Sequence, residues 1–72
     1  MLGYGGGVMK PEIPNVPVTF AYEHRYRRVN VENVIKTKKK YWVIVGRDLD
    51  RGGAYRSFRV DRIQGKIRIL NA

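Results

Sequence analysis

At 72 residues the chain has room for one domain. A domain this small buries only about 60% of its unfolded surface, so its core must be compact and its loops short. There is no cysteine, which excludes disulfide staples and thiolate metal sites, and fifteen Lys and Arg against six Asp and Glu leave a net charge of +9.

The positive charge is uneven. Residues 1–24 carry Lys10 against Glu12 and Glu23, whereas residues 25–68 hold 14 basic and 4 acidic side chains. Such density attracts polyanions, because each neutralised phosphate releases condensed counterions. Nine arginines against six lysines strengthen that reading. Arginine offers a planar fork that suits phosphates and base edges, and lysine a point charge. No apolar run approaches the roughly 18 residues of a membrane span. No basic segment leads into an apolar one as in a secretory signal, so the expected setting is cytoplasmic, without a membrane partner.

Residues 1–16 are expected to form a flexible tail. Gly3, Gly5, Gly6 and Gly7, then Pro11 and Pro14, favour neither helix nor strand. The glycine cluster lacks the Gly-Lys-Ser/Thr ending of a phosphate loop. The tail is expected to be unstructured or an arm packed late onto the domain, and Met9 is an alternative start.

Residues 17–72 read as the domain. Val18, Phe20 and Tyr22 alternate with Thr19, Ala21 and Glu23, the period of a half-buried strand. His24-Arg25-Tyr26 is expected to connect it to a second strand, in which Arg27, Val29 and Val31 share one face. Val34-Ile35 continues or bends that strand. Lys36 to Lys40 forms a charged hairpin loop, and Tyr41 to Val45 a third strand that Gly46 is expected to end. Asp48 to Gly53 is a turn. Ala54 to Val60 makes a fourth strand with Phe58 and Val60 inward. Gln64-Gly65 is expected to be a tight turn before Ile67 and Ile69 in the fifth. Five short strands and no helix predict an all-β fold, a small five-stranded antiparallel barrel.

Three segments then fall into a family pattern: Arg27 to Val34, Trp42 to Gly46 with Arg47-Asp48-Leu49, and Arg56-Ser57-Phe58-Arg59-Val60-Asp61-Arg62-Ile63. In that order they resemble the WYL domain, whose tail reads Arg-x-Phe-Arg-x-x-Arg-Ile. The naming tripeptide is Trp42-Val43-Ile44 here, and Val31 stands where the family usually has proline. The helix-turn-helix that commonly precedes the domain does not occur in this sequence. The resemblance implies an SH3-like or Sm-like barrel that senses single-stranded nucleic acid or a nucleotide, as in bacterial regulators and accessory proteins of CRISPR systems.

Arg27, Arg56 and Arg62 match the family's motif arginines. Strand parity puts Arg27 on the face of Val29 and Val31, and Arg56 and Arg62 on the face of Phe58 and Val60, so the three are expected to converge at a barrel mouth. The competing reading pairs them with Glu23, Glu32 or Asp61 as structural ion pairs. Tyr41, beside Lys38, Lys39 and Lys40, is the expected stacking platform for a base, with Tyr26 and Tyr55 as weaker ones. Trp42 reads as a core anchor. Arg59 and Arg68, on the solvent parity, extend the patch. The lysine loop would add affinity without sequence information. One histidine, His24, makes no metal site, and one serine, Ser57, no hydrolytic triad, so neither enzyme activity nor a cofactor is expected.

The expected function is that of a regulatory module that binds single-stranded nucleic acid or a nucleotide and modulates a partner. The alternative is a protein-interaction module that docks onto a host or cognate bacterial regulator by edge pairing or mimicry. Sm-like barrels also assemble into rings, which gives a route to homo-oligomers. A stand-alone copy of this size would suit a bacteriophage or mobile element, and then act in the host cytoplasm.

Overall fold

A computed structural model describes residues 10–70, so the glycine cluster and Met9 lie outside the described residues. The chain is all-β. Strands β1 (Pro17–Tyr22), β2 (Arg25–Lys36), β3 (Trp42–Asp48), β4 (Ala54–Arg59) and β5 (Ile63–Ile69) form one antiparallel sheet in the order β4-β3-β2-β1-β5.

Val18, Phe20 and Tyr22 of β1 are buried, as the period of two requires. The β1–β2 connection is tighter than the expected His24-Arg25-Tyr26. Glu23 and His24 turn the chain alone, with φ of 54° and 65°, and Arg25 and Tyr26 already pair with Tyr22 and Ala21. Two consecutive left-handed residues match the right-handed strand twist, which is why such turns close hairpins.

β2 both continues and bends. A register shift between Val31 and Asn33 moves its inward face from Arg27, Val29 and Val31 to Val34. An extra residue on one strand has that effect and sharpens the local twist. Gly46 does not end β3. It pairs with Val31 inside the strand, and a Cβ built there would sit 2.2 Å from the Asn30 carbonyl oxygen. Glycine is required by the approach of two backbones at the bend. Gln64-Gly65 likewise is not a turn between strands. It lies within β5 at a register shift against β1, with Gly65 at φ 77°. A 3-10 turn, Val60–Arg62, makes the connection instead.

That short connection joins β4 and β5, the two outer strands of the sheet, so the sheet must curl on itself. The Arg59 N–H donates to the Tyr22 hydroxyl at 3.1 Å across the gap. Among the described residues no ladder pairs β4 with β5. Inside, the rings of Phe20, Tyr22 and Phe58 meet edge to face at 5.2 to 6.3 Å. Each such pair adds about 0.5–1.5 kcal/mol beyond area burial. Trp42 packs against this core from the side. So do Ile13 and Val16, and the Val16 carbonyl accepts the Val31 N–H. Residues 10–16 thus lie against the sheet as an arm.

Candidate nucleic-acid interface

The inward face of the sheet holds two of the three motif arginines, Arg27 on β2 and Arg56 on β4. Arg27 is 5% exposed. Its guanidinium carbon lies 5.8 Å from the centroids of both Tyr22 and Phe58, its Nε donates to the Tyr22 carbonyl at 3.4 Å, and its Nη2 meets Glu23 Oε1 at 2.9 Å. Arg56 approaches the same Phe58 ring at 5.5 Å. Beside Arg56 sits Asp48, 1% exposed. Asp48 caps the 3-10 turn Leu49–Arg51 by accepting the Asp50 N–H at 3.0 Å, and its Oδ2 lies 3.7 Å from both Arg51 and Arg56. Arg62 does not join them. The strand parity assumed for it stops at Arg59, because Val60–Arg62 is a 3-10 turn, and Arg62 is exposed on it.

The outward face of the β3–β4 hairpin carries a different arrangement. Register pairs Arg47 with Tyr55, Val45 with Ser57 and Val43 with Arg59. Arg59 lies 3.8 Å over the Tyr41 ring and is clamped by Asp61, with hydrogen bonds of 3.0 and 2.7 Å. Arg47 lies 4.3 Å over Tyr55, donates to the Gly53 carbonyl at 3.1 Å and meets Glu32 at 3.3 Å. The Tyr55 hydroxyl donates to the other oxygen of Glu32. Tyr41 is therefore not a bare platform beside the lysines but half of a stack. The Arg47–Tyr55 stack was missed from the sequence. The usable signal was the Asp48–Gly53 turn, which puts residue 47 opposite 55.

At the tip of the β2–β3 hairpin, Lys38, Lys39 and Lys40 are exposed on a turn closed by the Lys40 N–H to the Thr37 carbonyl at 2.8 Å, with Lys40 at φ 69°. Lys36 Nζ lies 5.7 Å from the Trp42 ring centroid. The Trp42 indole N–H is buried without a hydrogen-bond partner. Further along the outer sheet surface, Tyr26 is 79% exposed, and Arg28 pairs with Asp50 at the neighbouring turn.

The charges sort into two populations. Six arginines, at 27, 28, 47, 51, 56 and 59, have a carboxylate within 4.0 Å. These pairs shift ionisation where they are tight. The hydrogen bond from Arg28 lowers the Asp50 carboxyl, the bond to Glu32 raises the Tyr55 hydroxyl, and Asp61 raises Arg59. Among the described residues Lys10, Arg25, Lys36, Lys38, Lys39, Lys40, Arg62, Lys66 and Arg68 have no such partner.

Fold and surface define a class: a small, strongly basic all-β protein with one curled five-stranded sheet. No protein-family model, curated protein or solved structure matches the chain. No helix among the described residues is long and apolar enough to cross a membrane.

Proposed function

We propose that this protein is a WYL-like module that binds single-stranded nucleic acid or a nucleotide and thereby modulates a partner protein. The observation that carries the reading is the sorting of charge. Glu23, Glu32, Asp48, Asp50 and Asp61 are all engaged by arginines, so the lysine turn and Arg62 stand uncompensated. Uncompensated, exposed cations are the ones that exchange counterions for phosphates. The resemblance of the Arg56 to Ile63 segment to the WYL tail supports the ligand class and a regulator as partner, in a cytoplasm. The buried Arg27 serves the fold in this reading, and Arg62, Arg59, Tyr41 and Lys38 to Lys40 meet the ligand.

An anisotropy titration against single-stranded DNA, single-stranded RNA and duplex tests it. Single-strand affinity is expected to fall with salt at a log–log slope of roughly −0.7 per phosphate neutralised. No binding at low salt, or a flat response, overturns the reading.

One observation favours the protein-interaction alternative. A cavity of about 430 Å³ lies between the arm and β5, lined by Ile13, Pro14, Val18, Ile67 and Ile69 among others, and among the described residues no strand pairs with the far side of β5. An added strand from a regulator, or from a second copy, would find both backbone partners and apolar cover there. Under that alternative Ile69→Lys abolishes partner or self association and leaves nucleic-acid titrations unchanged.

A further inference from the structure

The outward face of β3 and β4 repeats one device. At each of two places an arginine guanidinium lies over a tyrosine ring while a carboxylate holds it: Arg47, Tyr55 and Glu32 at one, Arg59, Tyr41 and Asp61 at the other. Tyr55 and Arg59 stand four residues apart on one face of β4, which at about 3.4 Å per residue separates the two places by roughly 14 Å. Only Ser57, with Val45 beside it, stands between them on those strands.

The carboxylates determine what such a place can take. Each neutralises its guanidinium and occupies its forked donors, as the two Arg59–Asp61 hydrogen bonds show. A phosphate gains little from a cation already paired. A flat, delocalised ring or guanidinium still offers its face to another flat group, and nucleobases stack on both. Tyr55 is 57% exposed, so its stack is open to such a group. Phosphates are served next door, by the unpaired lysines that precede Tyr41.

We propose that the two arginine–tyrosine stacks form a pair of base-binding steps for one single strand running along β4, with the Lys38–Lys40 turn holding its phosphates. This rests on the nucleic-acid reading above and adds where the bases sit and how many are needed. A separation of roughly 14 Å is about four rises of 3.4 Å, the spacing along one strand of a duplex, so adjacent stacked bases cannot occupy both steps. A duplex, whose base faces are hidden, cannot use them at all. The two populations of charge thus divide the work: paired arginines take bases and unpaired lysines take phosphates.

The test is a length series of oligothymidylates and oligouridylates titrated by anisotropy against the whole chain and its variants. Affinity is expected to step upward between roughly two and five nucleotides, where a strand first spans both places. Tyr55→Leu should weaken a pentanucleotide about tenfold and abolish the step, with the salt slope unchanged. Tyr55→Phe keeps the ring and should bind as the parent does. Arg59→Lys, which retains charge and loses the plane, should behave as Tyr55→Leu. Lys39→Ala should reduce the salt slope and keep the step. Thermal melts accompany each variant, and Arg47→Lys carries the test if Tyr55→Leu melts early. Salt-dependent binding without a step, unaltered in Tyr55→Leu or Arg47→Lys and in Arg59→Lys, overturns the two-step surface and leaves the broader reading standing. Absence of single-strand binding overturns both.

Discussion

The two faces of the sheet put an arginine against an aromatic ring to opposite ends. Inside, Arg27 meets Tyr22 and Phe58 at 5.8 Å with 5% of its surface exposed. Outside, Arg59 meets Tyr41 at 3.8 Å and Arg47 meets Tyr55 at 4.3 Å, where solvent and any ligand can reach. Arginine next to an aromatic is therefore not in itself a binding signature. The face decides whether the contact is spent on the fold or remains available. A buried guanidinium must satisfy its donors locally, as Arg27 does with the Tyr22 carbonyl and Glu23.

The comparison breaks first if the inner face tolerates change. Gly46→Ala places a methyl against the Asn30 carbonyl, a backbone atom that the β2–β3 ladder holds. We expect a loss of about 3 kcal/mol, the upper end of overpacking costs, read as a shift of the urea midpoint. A domain of this size has only about 4–10 kcal/mol in total, so the variant should sit close to unfolding. An unchanged midpoint would show that β2 and β3 do not cross as closely as described.

Arg27→Lys comes next. It keeps the charge and loses the fork between the Tyr22 carbonyl and Glu23, at a cost of about 2 kcal/mol, or roughly 10 °C in Tm. The Glu23 end contributes less than a buried pair would, since Glu23 is 64% exposed and water screens it. Arg47→Lys makes the same change on the outer face and should cost only about 0.5 kcal/mol. Equal melting shifts for the two would erase the distinction between the faces.

The alternation of Val18, Phe20 and Tyr22, the inward Phe58 and Val60, and the turn at Asp48 to Gly53 were legible, because each follows from a local period or a turn residue. Gly46 and Gly65 were misread for a shared reason. A glycine that lets two strands approach or admits a bulge looks in sequence like one that ends a strand. The shift at Asn33 was invisible, since the extra residue is defined only against β3. The burial of Arg27 was hidden for a similar reason: its cage comes from β1, β4 and the turn at Glu23. The Arg47–Tyr55 stack needed only correct hairpin register, and that could have been counted outward from the turn.

The smallest expected effect is a titration on the outer face. The Tyr55 hydroxyl donates to Glu32, and that bond, then burial, then the Glu32 charge raise its pKa above the ordinary value of about 10, against a smaller opposing effect of Arg47. A raised value means that folding favours the protonated phenol. The stability it contributes is complete below the unfolded value and is lost as pH rises through the folded one. Tyrosinate absorbance should therefore show one component ionising later than the rest, and Glu32→Gln should bring that component down. If Glu32→Gln leaves every tyrosine where it was, the Glu32 clamp does not hold in solution, and the Arg47–Tyr55 step loses the carboxylate that holds its guanidinium.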